Sequence, residues 1–201
     1  MRKIIFATHN NGKIIEMREM MKQIDLEIVS ASEFGINEEP EENGTTLEEN
    51  ALIKARFACL RSGLCTFADD SGLFIDALGG EPGVRSARWA GDGKQSEEKV
   101  AYALDRLKDV PQGERSAIFR SVVAYVCPDG KEDIFDGEVL GEIVLSPRGE
   151  PRPKLPYDVL FQPLGYDRTF AQMSDEEKNM ISHRGKAFEK FRKFLTALVN
   201  S

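Results

Sequence analysis

The chain has 201 residues, 41% of them hydrophobic and 30% charged, with a formal net charge of -7. That length and apolar content support one well-cored domain over residues 1–201, with room for two lobes, and exclude the collagen-like and disordered classes. The acidic balance excludes an extended nucleic-acid interface, which needs a basic footprint, and leaves a small anionic ligand met by local cations.

"MRKIIFATHN" opens on a short apolar run, too short for a signal peptide, and nothing downstream approaches a membrane span, so a cytoplasmic protein with no membrane partner is expected. "KIIFA" predicts a buried strand. "THNNGK" reads as a polar turn, and "IIEMREMMKQI" carries Ile14, Met17, Met20, Met21 and Ile24 at helical spacing. "LEIVS" predicts a second strand, and residues 32–46 a loop rich in Glu, Asn and Gly. The next helix runs through "LEENALIKARFACLRSG" to a glycine stop, with Thr45 or Thr46 as N-cap and Glu48 or Glu49 as the capping-box partner.

Residues 65–69 predict a strand ending at Asp69 and Asp70, with a second apolar piece at 73–78. "GGEPGVRSARWAGDGK" is glycine-rich and lid-like, and "SEEKVAYALDRLKDV" predicts an amphipathic helix. "SAIFRSVVAYVC" and "EDIFDGEVLGEIVL" flank "PDGK", a hairpin signal. "SDEEKNMIS" carries a Ser174/Glu177 capping box, and a closing helix places Phe188, Phe191, Phe194, Leu195 and Leu198 inward. Strands alternate with helices before the hairpin intervenes, so the fold class is α/β with a mixed sheet. Cys59, Cys65 and Cys127 are odd in number and lack zinc-site spacing, which points to small core residues rather than a disulfide framework or a thiolate metal site.

Four places carry chemistry. The "THNNGK" turn, Thr8 to Lys13, ends a strand and opens a helix; such a turn either caps the helix or presents N–H groups and the positive end of the dipole to a phosphate. Adjacent Asp69 and Asp70 repel unless a cation or a shared proton resolves them, the alternative being a turn cap by one of them. Glu38, Glu39, Glu41 and Glu42 make a solvated loop, or Glu41 or Glu42 joins the aspartates in a hard-oxygen site suited to Mg²⁺. Lys54 follows Asn50 on one helix face, directed to that region or to solvent. In "EKNMISHRG", Lys178, His183 and Arg184 bracket a break between helices that Ser182 can cap; a His-Arg pair there lies on the surface or meets an anion, which a helix start favours.

In this order, "TxNxGK", "EExGTTxxENAxxKA", "ADDSGLxxDALGGxPGxxSAR" and "EKNxISHRxxA" resemble the inosine triphosphate pyrophosphatase family over nearly the whole chain. The resemblance implies an elongated mixed-sheet α/β fold of two lobes with a central cleft, a homodimer, and Mg²⁺-dependent hydrolysis of dITP, ITP or XTP to the monophosphate and pyrophosphate. It implies that Thr8, His9, Asn10, Asn11, Gly12 and Lys13 bind phosphates and that Glu41 or Glu42, Asp69 and Asp70 hold Mg²⁺. It further implies Asp70 as general base, Ser71 beside the substrate, Lys54 and Lys178 on phosphate charge, and His183 and Arg184 on the base.

One departure stands out. Where the family has "GFGYDP", this chain has "RPKLPYDVLF": Leu155 and Pro156 replace Phe-Gly, Val159 replaces Pro, and Tyr157 and Asp158 remain at the substrate site. Leucine lacks the face that contributes about 1 to 3 kcal/mol of base stacking. The alternatives to purine selectivity are a shifted base preference, with Tyr157 or Trp89 supplying the stack, or a nucleotide-binding protein with weak turnover.

Overall fold

A computed structural model describes residues 2–22 and 24–200. The chain divides into two compact units, one of residues 1–70, 121–137 and 186–201, the other of residues 71–120 and 138–185. The strands follow the order β2-β1-β3-β5-β6-β7, with β4 on β3.

In the first unit β1 (Arg2–Phe6) pairs in parallel with β2 (Leu26–Ser30) and with β3 (Thr66–Ile75), placing Ile4 opposite Ile28 and Phe6 opposite Phe67. The crossovers are the helices α1 (Asn11–Met21) and α2 (Leu47–Ser62). Thr46 is the N-cap of α2 and Glu49 closes the capping box, while Gly63 ends the helix at φ 67, a left-handed conformation that only glycine takes without strain. The rings of Phe6 and Phe67 stack 4.4 Å apart, and Phe188, Phe191 and Leu195 from α5 (His183–Val199) complete the core. Each such fully buried side chain contributes about 1.5 to 3 kcal/mol.

In the second unit the far end of β3 pairs antiparallel with β4 (Pro82–Gly83), and β6 (Glu132–Ile143) pairs antiparallel with β7 (Phe161–Pro163). Its core gathers Leu73, Ile75, Leu107, Phe119, Phe161 and Phe170. The helices α3 (Ser96–Arg106) and α4 (Asp175–Ile181) start at the expected places, α4 under the Ser174/Glu177 box. The hairpin is present as β5 (Ser116–Val126) and β6.

Three expectations are corrected. β3 is one unbroken strand of ten residues, so Asp69 and Asp70 stand inside it rather than at its end. Gly72, between the two apolar pieces, allows close packing: a Cβ on it would lie 2.5 Å from the Gly83 carbonyl oxygen. The first half of the lid-like stretch is pinned, since Ser86 Oγ accepts from Leu73 N–H and donates to the Gly83 carbonyl while Leu73 pairs with Gly83. Cys65 and Cys127 form a disulfide across 62 residues, leaving Cys59 as the buried free thiol. Residues remote in sequence reach each other only once the strands are laid side by side. Among the described residues, no helix is long and apolar enough to cross a membrane.

Candidate active site

The acid pair sits where β3 passes the helices of the first unit. Successive residues of a strand point to opposite faces, and each aspartate meets its own lysine. Lys13, from the first turn of α1, donates to Asp69 Oδ2 at 2.7 Å; Lys54, from the middle of α2, donates to Asp70 Oδ1 at 3.0 Å and lies 3.2 Å from Glu42 Oε1. Two lysines therefore answer the repulsion that the sequence raises. Of the two glutamates left open, Glu42 joins the cluster and Glu41 is exposed.

Burial pushes the Asp70 carboxyl above the ordinary carboxylate value; Lys54 opposes this in part, while Glu42 reinforces it. Burial pulls the Lys54 ammonium down, but Asp70, Asp69 and Glu42 outweigh it and hold its pKa above the ordinary lysine value. Asp70 Oδ2 is buried and accepts no hydrogen bond. A buried carboxylate oxygen left so is costly, and it suits a water molecule or a hard cation. Among the described residues no group of three or more His, Cys, Asp or Glu forms a ready-made metal cage, so a cation here would draw on Asp70, Glu42 and ligand oxygens.

The turn before α1 is built as a cap. Asn10 N–H donates to Thr8 Oγ1 at 3.2 Å, and Asn10 Oδ1 accepts from Lys13 N–H at 3.5 Å. His9 lies 3.9 Å from Glu39, and the side chains of Asn11 and Gly12 lie outside the described residues. Ser71, half-buried, follows Asp70 on β3.

The second unit holds the remaining candidates around a different ion pair. Lys178, expected to neutralise phosphate, donates to Asp158 Oδ2 at 2.5 Å, and both side chains are buried. Burial lowers the Lys178 pKa, with Asp158 opposing and Arg184 and Arg152 adding to the fall. Arg152, which sequence reasoning missed, reaches Asp158 at 3.5 Å and donates to the carbonyls of Phe170 and Met173 at 2.6 Å each. Its signal in the sequence is its place at the start of the altered "RPKLPYDVLF" segment.

Leu155 and Pro156 are half-buried, and Pro156 opens a 3-10 turn, Pro156–Val159. Lys154 before them adopts φ 61, in the region that favours glycine. Tyr157 donates its hydroxyl to the Ser86 carbonyl at 3.1 Å and is buried, its pKa pushed up to about 12 by desolvation. It is thereby held in the core. Trp89 packs edge-on against Tyr102 with Arg106 over its ring. His183 is buried and lies flat against Phe119, centroids 4.6 Å apart, while Arg184 is half-buried beside it; Ser182 Oγ accepts from Gly185 N–H, capping α5.

Comparison with known proteins finds relatives over nearly the whole chain. The family model described as the Ham1 family matches residues 4–194. The chain is 46% identical to a dITP/XTP pyrophosphatase of Xylella fastidiosa, covering 96% of each chain, and 41% identical to one of Bacillus subtilis, covering 98% of each. Among solved structures it resembles a HAM1 protein from Coxiella burnetii with a TM-score of 0.91 and 38% identity, covering 98% of this chain and 100% of that one. Sequence motifs, fold and a match that runs almost end to end lead to one assignment: the chain belongs to the Ham1 family.

Proposed function

We propose that the whole chain is a single Mg²⁺-dependent nucleoside triphosphate pyrophosphohydrolase that clears non-standard purine nucleotides, dITP, ITP and XTP, to the monophosphate and pyrophosphate. The observation that carries this reading is the acid and lysine cluster of the first unit, with a buried Asp70 oxygen that accepts no hydrogen bond. The names of the relatives in Xylella fastidiosa and Bacillus subtilis support the substrate class.

Asp70 and Glu42 are the groups to hold Mg²⁺, with Asp69 close by under Lys13. When bound there, the ion would supply charge neutralisation for the triphosphate and would make a nearby water more acidic. Lys13 and Lys54 bring two cations to the polyphosphate, and the N-terminus of α1 adds its dipole. Asp70 takes the proton as water adds to the α-phosphorus and the oxygen bridging to the β-phosphorus leaves with pyrophosphate; a carboxylate whose pKa is raised suits that role. His183 and Arg184 are assigned to the nucleobase, and the Asp158–Lys178 pair to shaping that end. The active form is assigned as a cytoplasmic homodimer, checked by sedimentation at twice the chain mass.

Pyrophosphate release across ITP, XTP, dITP, ATP and GTP, with and without a chelator, tests the reading. Chelator-sensitive release from at least one non-standard purine triphosphate is expected. Binding without turnover on any triphosphate would overturn it in favour of a nucleotide-binding protein. A shifted base preference is the second reading, favoured by Leu155 standing where an aromatic face is expected while Tyr157 is tied to Ser86.

A further inference from the structure

Asn50 is 1% exposed on the first turn of α2, among Leu47, Ala51 and Ala55. Asparagine is a poor helix former, and its Nδ2 is buried with no hydrogen-bond partner, an arrangement that costs stability. An apolar residue of the same size would pack there at lower cost. What Asn50 does provide is Oδ1, which accepts from Gly44 N–H at 2.9 Å.

Gly44 is fitted to that contact. Its backbone is not in the left-handed region, so glycine is not needed for conformation. It is needed for approach: a Cβ there would lie 2.6 Å from Asn50 Oδ1 and 2.7 Å from Glu49 Cβ. The neighbouring Thr45 and Thr46 amides are held by the Glu49 carboxylate, at 2.6 Å and 3.2 Å. The chain leaving this anchored point reaches Glu42 two residues earlier, with Glu42 Oε1 3.2 Å from Lys54.

We propose that Asn50 is a positioning residue for Glu42: by holding the Gly44 amide, it sets where the Glu42 carboxylate meets the Lys54–Asp70 pair and hence the affinity for the divalent cation. The inference rests on the metal-dependent reading above. Groups that orient a metal-holding side chain are worth about 10-fold to 100-fold in metal affinity.

The test compares Asn50→Leu, Gly44→Ala, Asn50→Asp, Glu42→Gln and the double variant Asn50→Leu/Glu42→Gln in the full chain. Two readouts are used: the Mg²⁺ concentration at half-maximal pyrophosphate release, and Mn²⁺ binding followed by water-proton relaxation, which needs no turnover. Asn50→Leu and Gly44→Ala are each expected to weaken the cation by about 10-fold or more, Asn50→Asp, which keeps Oδ1, to restore most of it, and the double variant to be no worse than Glu42→Gln alone. Unchanged cation affinity in Asn50→Leu, or losses that multiply in the double variant, would overturn the proposal. If Asn50→Leu does not fold, Gly44→Ala decides by the same criteria. A wild-type chain without turnover refutes the proposed activity, whereas the ranking of Mn²⁺ affinities still tests Asn50.

Discussion

The Lys54 ammonium lies 3.0 Å from Asp70 Oδ1, linking the middle of α2 to the centre of β3. It holds the carboxylate that is assigned to activate water and partly offsets the effect of burial on it. Two consequences for catalysis follow from this pair.

Asp70→Asn keeps the side chain's shape and removes its basicity. Turnover of ITP should fall by about two orders of magnitude or more, with KM changing far less than kcat, as steady-state pyrophosphate release would record. A fall in affinity alone would assign Asp70 to binding.

The pH profile carries a sign. Asp70 must be ionised to accept a proton, and its pKa is raised, so activity should be lost on acidification at a pH above the ordinary aspartate value of 3.8. Lys54→Met removes the cation that lowers this pKa, so the acid limb of kcat/KM should move to higher pH. A limb that stays in place would mean that another group titrates there.

Leu155→Phe with Pro156→Gly restores an aromatic face and a free backbone at the altered segment. Base stacking is worth about 1 to 3 kcal/mol, so KM for ITP should drop about fivefold or more. Equal change for purine and pyrimidine triphosphates would place the base elsewhere.

The buried Lys178–Asp158 pair predicts a stability effect. Asp158→Ala leaves Lys178 without its closest counter-charge and should cost about 3 to 5 kcal/mol, read by urea unfolding. The folded-state pKa of Lys178 is already lowered by burial, so the unfolded chain binds the proton more tightly and stability rises with pH. The deficit of the variant should therefore shrink as pH approaches the ordinary lysine value of 10.5.

The Cys65–Cys127 bond closes a 62-residue separation. Its loss through Cys65→Ser should cost about 2 to 4 kcal/mol, seen as a lower melting temperature. The unreduced wild type, once denatured, should show a single reactive thiol, Cys59.

Local chemistry was legible in the sequence by itself. The cap of α2 at Thr45 or Thr46 with Glu48 or Glu49, which the structure resolves to Thr46 and Glu49, the Ser174/Glu177 box, the Gly63 stop and the Asp-Gly hairpin each depend on residues a few positions apart, so they are readable as spacing. The motif residues also marked the acids and lysines of the candidate site. Tertiary structure alone decided which acid meets which lysine, that Glu42 rather than Glu41 takes part, that β3 continues through its polar centre, and that two cysteines pair. Lys13 and Asp69 are 56 residues apart, and Arg152 meets Phe170 and Met173 through a turn that no periodicity announces. Such contacts depend on how strands and helices are laid against one another, because burial and distance, not residue type, determine where a charge finds its partner.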